Sequence, residues 1–157
     1  MLKKMGQRLK NERGLTLIEL LAVVVILGII AAIAIPSIGG LINNSKKDAH
    51  IANAQQMVSG ARLAVTANNT NLTEISLSDL ISDGYLEELS APSGGTYDEA
   101  TSKVFITKDA STGNYSYTVT LSNNNVATTG FFVTKDPDSL TRDDVKLDGT
   151  ATATVTP

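Results

Sequence analysis

The hydrophobic and polar positions divide the chain into three stretches with different periods. In the first, Leu15 to Ile35, 21 residues carry one charged side chain, Glu19, and no further charge follows before Asn44. As a helix this run measures about 31 Å at ~1.5 Å per residue, close to the ~30 Å hydrocarbon core of a bilayer. It is apolar on every side, so lipid or a fully buried bundle must surround it. Gly28 lies inside the run, and Pro36 and Gly39-Gly40 follow it. A proline removes a helical hydrogen bond and two glycines loosen the turn after it. The pattern therefore predicts a curved or kinked helix there rather than a clean stop.

After Ser45-Lys46-Lys47-Asp48 the period becomes amphipathic. Ile51, Ala54, Val58, Ala61 and Val65 recur at 3-4-3-4 spacing, with Asn53, Gln55, Gln56, Ser59 and Arg62 between them. This is a helix with a narrow seam of mostly small residues, suited to close packing on a sheet. It should fade near Ala67, before Asn68-Asn69-Thr70-Asn71. A helix continuous from Leu15 to Ala67 would be about 80 Å long at ~1.5 Å per residue. A domain of this size cannot cover such a helix, so half of it must enter a membrane first and an assembly later. Ser76-Leu-Ser-Asp79-Leu80-Ile81 reads as a short capped helix stopped by Gly84. Tyr85, Leu86 and Leu89 should anchor the next segment, and Ala91-Pro92-Ser93-Gly94-Gly95 is a turn or loop.

In the third stretch the period is two. Val104-Phe105-Ile106, Tyr115 to Leu121, and Val126 through Val133 read as strands. Asp109 to Asn114 and Ser122 to Asn125 are expected turns. Tyr115, Tyr117, Val119 and Leu121 share one face, which should pack on the helix seam. The tail from Val145 holds either an edge strand, Thr150 to Val155, or a loose end. The fold class is therefore α+β: a long N-terminal helix, half membrane-spanning and half amphipathic, packed on a small antiparallel sheet. The segments are a basic leader (1–14), a hydrophobic helix (15–44) and a soluble head (45–157).

Composition narrows the chemistry. The 157 residues contain no Cys and no Trp, which excludes a disulfide framework and cysteine-based metal or redox sites. The net charge is −3. The first 14 residues hold five basic side chains against Glu12, a local +4, so the remainder carries −7. An acidic remainder is a poor non-specific binder of nucleic acid, and no direct nucleic-acid site is evident. The basic cluster is topogenic: it keeps the N-terminus in the cytoplasm and sends the rest outward.

Glu19 is costly at the head of a membrane-length helix and needs a partner. A cut after Gly14 would free an amine on Leu15, four residues from that carboxylate. A helix N-terminus favours a carboxylate through its macrodipole and free N–H groups. Glu19 can pair with the amine of its own chain, but in a low-dielectric bundle it can also pair with the amine of a neighbouring chain, which would set the axial register of an otherwise non-directional helix. The same cut removes the basic leader that pins the chain in the cytosol.

The run Gly14-Leu-Thr-Leu-Ile-Glu19-Leu-Leu-Ala-Val-Val-Val-Ile-Leu-Gly28-Ile-Ile-Ala-Ala-Ile-Ala-Ile-Pro36 resembles the N-terminal signature of type IV pilins and the related pseudopilins. About 25 residues carry the resemblance. It implies a class III signal peptide and a pilin fold. It also implies a prepilin peptidase that cuts between Gly14 and Leu15 and methylates the new amine. In the mature chain Leu15, Thr16, Glu19, Gly28 and Pro36 would serve assembly. Glu19 would pair with a neighbour's N-terminus, and the Gly28–Pro36 segment would be able to melt on assembly. Implied partners are further copies in a helical homopolymer, an inner-membrane platform and a cytoplasmic ATPase. The implied path runs from a single-pass membrane precursor to a filament at the cell surface. Two departures stand out: Leu15 replaces the Phe of many members, and the C-terminal disulfide loop of Gram-negative pilins cannot form. The second favours a Gram-positive pilin or a secretion or competence pseudopilin.

Other readings compete. Ala32-Ile-Ala34 is an A-x-A-like signal peptidase site, which would yield a secreted soluble binding domain. Glu19 and the amphipathic continuation argue against it. A membrane-anchored receptor or enzyme would leave Glu19 unexplained, and no nucleophile elbow, phosphate loop or metal spacing supports catalysis. His50, the single histidine, is expected to be exposed among polar neighbours. Asp136, Asp138, Asp143, Asp144 and Asp148 offer hard oxygen ligands suited to Ca²⁺, but lack the Gly and terminal Glu of an EF-hand loop. By resemblance, some pseudopilins hold calcium in a similarly placed loop; the alternative is a solvated acidic loop with no cofactor.

Overall fold

The computed structural model of the chain describes residues 16–68, 72–123 and 129–152. The basic leader, the expected strand start at Val126 and the tail beyond Thr152 lie outside them. The chain divides into two compact units, Met1–Leu41 and Ile42–Pro157. Helix α1, Leu17–Asn68, contributes to both, and Pro36 lies inside it rather than ending it.

In the first unit the described residues are one stretch of α1 with almost every side chain exposed. From Leu17 to Ile42, sixteen Leu, Ile and Val side chains are each 46–85 % accessible. Completing their burial is worth on the order of 1 kcal/mol each, roughly 15 kcal/mol in total. Such a surface is not stable against water. Length and composition allow the helix to cross a membrane, and lipid or neighbouring helices are the surroundings that satisfy it.

The second unit is an α+β head in which the later part of α1 packs on a four-stranded antiparallel sheet. Strands β1 (Glu74–Ser76), β2 (Lys103–Lys108), β3 (Tyr115–Leu121) and β5 (Phe132–Lys135) pair in the order β1-β2-β3-β5. Two short strands, β4 (Thr129–Gly130) and β6 (Ala151–Thr152), form a separate ladder. Register aligns Ile75 with Val104 and Val104 with Val119, a buried aliphatic row across three strands. Ala54, Val58 and Ala61 of the expected seam join the same cluster, with Met57 and Ala64 widening it; Ile51 and Val65 border it. Small side chains on the helix bring its backbone close to the sheet, and Val104, Val119, Leu121, Phe131 and Phe132 supply the bulk. Full burial of each contributes about 1.5–3 kcal/mol.

The face proposed for β3 is only partly inward. Val119 and Leu121 are fully buried and Tyr117 is half-buried, but Tyr115 is exposed, with the Lys108 ammonium over its ring at 5.4 Å. Burial rises along the strand, from exposed Tyr115 and Ser116 to buried Val119, Thr120 and Leu121. Strand β1 is an edge of three residues, too short to show a period.

Between β1 and β2, helix α2 (Leu77–Ser82) starts with a capping box. The Ser76 hydroxyl accepts from the Asp79 N–H, and the Asp79 carboxylate accepts from Ser76. Gly84, at φ +77°, follows the C-cap Asp83 and turns the chain so that the Tyr85 and Leu86 N–H groups both donate to Leu80 O. Tyr85, Leu86 and Leu89 then lie against the core.

The loop after β5 is tied back to α1. The Arg142 guanidinium donates through Nε and Nη2 to the two Asp48 oxygens, both at 2.7 Å, across 94 residues of sequence. Both side chains are about half exposed, so solvent screens the pair and limits what its geometry contributes. Arg142→Ala should lower the thermal midpoint of the head by a few degrees in dilute buffer. Scanning calorimetry in 1 M salt should show that difference shrink, because screening weakens exposed pairs.

Candidate processing and assembly site

The site lies at the start of α1. Gly14 and Leu15, the expected cleavage pair, lie outside the described residues. Thr16 is the residue on which the helix begins. Its carbonyl accepts the first helical bond, from Leu20 N at 3.0 Å, and its hydroxyl accepts from Glu19 N at 3.3 Å. In return one Glu19 oxygen, Oε2, accepts from both the Thr16 N–H at 2.8 Å and the Thr16 hydroxyl at 3.0 Å. This is a reciprocal capping box, which satisfies N–H groups that the first helical turn leaves without partners. The Thr-x-x-Glu spacing before an apolar run is itself the signature of such a box. Read for charge alone, Glu19 has the macrodipole, its own chain's amine and a neighbour's amine as partners.

Two consequences follow from the geometry. Glu19 is fixed on the side of the first turn, with Oε1 accepting no bond among the described residues. The carboxylate is also exposed, as are Leu17, Ile18, Leu20 and Leu21 around it. A charge is thus held in a defined position within an apolar, unpartnered surface.

Further along α1, a Cβ placed on Gly28, Gly39 or Gly40 would meet nothing within 4 Å. These glycines are not required by packing within the chain. Pro36 sits between them without a backbone N–H to give to the helix ladder.

The acidic candidates occupy the loop between β5 and β6 and do not converge. Asp136 Oδ1 accepts from the Asp138 N–H, and Asp138 lies 3.8 Å from Arg62. Asp144 is occupied on both oxygens, by the Thr141 hydroxyl and N–H and by the Lys135 ammonium. These bonds, the Thr141 hydroxyl foremost, hold its carboxyl down to about 2. Asp143 is exposed, and Asp148 accepts from Thr150. Among the described residues no three of His, Asp and Glu gather in a metal-binding group.

His50 reverses its expectation: it is fully buried. Its ring stacks on Phe131 at 4.0 Å between centroids, Nδ1 lies 2.7 Å from the Tyr97 hydroxyl, and Nε2 lies 2.8 Å from Ser93 Oγ. The seam explains why. His50 stands four residues before Ala54 and seven before Met57, so extending the helical period one step back places it on the core face.

A family model described as the prokaryotic N-terminal methylation motif matches residues 9–35. No curated protein and no solved structure matches the chain significantly. Over residues 9–35 the sequence therefore carries the motif of the class III signal peptide of type IV pilins and pseudopilins, and it is to such precursors that this part of the chain is similar. Its long helix on a small antiparallel sheet is a pilin-like arrangement. The motif points to a structural subunit that a prepilin peptidase processes and pilus-type machinery assembles.

Proposed function

We propose that this chain is the subunit of a type IV pilus-like filament, inserted in the membrane as a precursor with its N-terminus in the cytoplasm. The peptidase cuts after Gly14 and methylates Leu15. The subunit then leaves lipid for a helical bundle of other copies, where apolar faces from Leu17 to Ile42 pack together. The observation that carries this reading is the coincidence, within residues 9–35, of the methylation motif with a capped, exposed carboxylate and an uncovered apolar helix.

In this scheme Glu19 has two tasks on two oxygens. Oε2 caps its own helix through Thr16, and Oε1 receives the ammonium of a neighbour's Leu15. The ionic contact gains strength as lipid and protein replace water around it. The acidic head faces solvent, where its charge keeps the filaments dispersed.

Mass spectrometry of the N-terminal peptide tests the processing step. The mature chain should begin at methylated Leu15, and Gly14→Arg should leave the full leader attached. A chain that begins at Ile35 would instead mark cleavage by an ordinary signal peptidase and would overturn the proposal.

A further inference from the structure

The buried ring of His50 lies apart from the site at the start of α1, and it joins two parts of the head. The ring belongs to α1. Its two polar partners, Tyr97 and Ser93, belong to the loop between Ser90 and Tyr97. From α1 the Asn53 amide also reaches this loop, donating through Nδ2 to Ser90 O at 3.0 Å and to the Tyr97 hydroxyl at 2.9 Å.

These bonds fix where the protons lie. The Ser90 carbonyl orients the Asn53 amide, so the Tyr97 oxygen receives a proton from Asn53. With the hydroxyl's own proton given to His50 Nδ1, that nitrogen is bare and the buried hydroxyl is satisfied. The ring proton therefore sits on Nε2 and is given to Ser93 Oγ. In this arrangement the buried Tyr97 hydroxyl has both a donor and an acceptor, the half-buried Ser93 hydroxyl can turn its own proton to water, and no buried side-chain polar atom among the described residues lacks a partner.

A second proton on the ring breaks the arrangement. It would occupy Nδ1, where the Tyr97 hydroxyl already donates, and that hydroxyl proton would lose its acceptor. The resulting cation would be buried, and among the described residues no carboxylate is hydrogen-bonded to the ring. On α1, Asp48 is committed to Arg142, while Lys46 and Lys47 lie one turn before the ring and would repel it. In the loop, Asp98 follows Tyr97, but its carboxylate is held by Thr101. Beside Phe131, Lys146 brings another positive charge on a segment whose N–H donates to Phe131 O. Opening of the loop is the route by which the charged ring reaches water.

We propose that His50, Tyr97, Asn53 and Ser93 form an acid-sensitive latch, which holds the Ser90–Tyr97 loop closed on α1 and releases it when the ring takes a second proton. Burial supports this by pushing the His50 ring down to about 4 and the Tyr97 hydroxyl up to about 12. The sign follows. The closed ring refuses a proton that the open ring accepts below its ordinary value of about 6.5. Closure is therefore fully favoured above pH ~6.5 and weakens as pH falls towards about 4. Between pH 7 and 4.5 the closed-to-open ratio falls by about fifty-fold.

The full-length chain in detergent micelles provides the test. Amide exchange of the Ser90–Tyr97 segment, corrected for the intrinsic effect of pH, should lose about fifty-fold in protection over that range. Segments within β2 and β3 should keep theirs, and in His50→Gln the loop should show no pH dependence. Loop protection that stays flat in the wild type, falls equally in His50→Gln, or falls together with β2 and β3 would overturn the latch. If His50→Gln fails to fold, nitrogen-15 NMR of the wild type decides, since the chain has one histidine. The latch requires the Nε2–H tautomer and a midpoint well below 6. The Nδ1–H tautomer, or a midpoint at or above 6, would overturn it.

Discussion

Glu19→Gln should abolish filaments, with the sheared surface fraction reduced at least tenfold, while the precursor still inserts and is still cut. The carboxylate caps its own helix and is proposed to meet a neighbour's amine, and Ala or Val would remove both at once. Gln at the third helical position can still close a capping box, since its carbonyl oxygen accepts from the Thr16 N–H and hydroxyl. The helix start should therefore keep most of the ~1 kcal/mol that such a cap contributes. What Gln cannot do is meet an ammonium group as an ion. If the neighbour's amine is the second partner, the loss is that of a charge-assisted bond in a low-dielectric bundle, and an unpaired amine stays buried at every subunit. Repetition along the polymer magnifies the effect. Immunoblots of membrane and sheared fractions, with mass spectrometry of the mature N-terminus, separate processing from assembly. Normal filaments from Glu19→Gln would remove the ionic role and leave Glu19 as a helix cap alone. Glu19→Ala alongside it should be at least as defective, because it loses the cap as well.

The first unit was largely legible in the sequence because its signals are local. An apolar run and a lone carboxylate are read from adjacent residues; the Thr16 cap of that carboxylate is just as local, but a reading of charge alone passes it over. Even the proline was legible as an interior residue of a continuing helix. In the head, the 51/54/58/61/65 spacing located the packing seam, and Ser76-x-x-Asp79 located the cap of α2, again over short distances. What escaped depended on long-range partners. His50 looks polar among Lys46, Lys47, Asp48 and Asn53. Its burial depends on Ser93, Tyr97 and Phe131, between 43 and 81 positions along the chain. Tyr115 fits the inward alternation of β3, but how far the helix covers that strand is a property of the assembled layers. The edge strand Glu74–Ser76 pairs with β2 across α2 and an intervening loop, and three residues carry no readable period. The acidic loop was legible as composition only. Its aspartates are dispersed because each takes the nearest hydroxyl, amide or cation, as Asp144 does with Thr141 and Lys135.

Gly130→Ala should be among the most damaging substitutions in the head, although nothing about this glycine in the sequence announces it. Gly130 ends β4, and its backbone does not occupy the left-handed region. The requirement is for space. A Cβ built there would run into the Leu121 carbonyl oxygen and would also lie 3.1 Å from Ser122 Cα. These are backbone atoms at the end of β3, so no rotamer change can relieve the clash. The Leu121 carbonyl is also the acceptor for Phe131 N at 2.8 Å, and Leu121 is aligned with Phe132 in the β3–β5 ladder. Moving it away from the new methyl would disturb both. Phe131 and Phe132 are fully buried, so the disturbance would pass directly into the core and the ring under His50. Overpacking against rigid neighbours costs about 1–3 kcal/mol, and the loss of a backbone bond here places Gly130→Ala at or above the upper end. For a head of about 110 residues this lowers the thermal midpoint by roughly 10–20 °C. Gly28→Ala provides the contrast, since a Cβ there meets nothing, and the head of that variant should melt like the wild type. Circular dichroism melts of the two full-length variants in the same detergent should separate them clearly. Equal midpoints would mean that β3 and β4 can part at little cost, and that the close approach at Gly130 does not hold the core together.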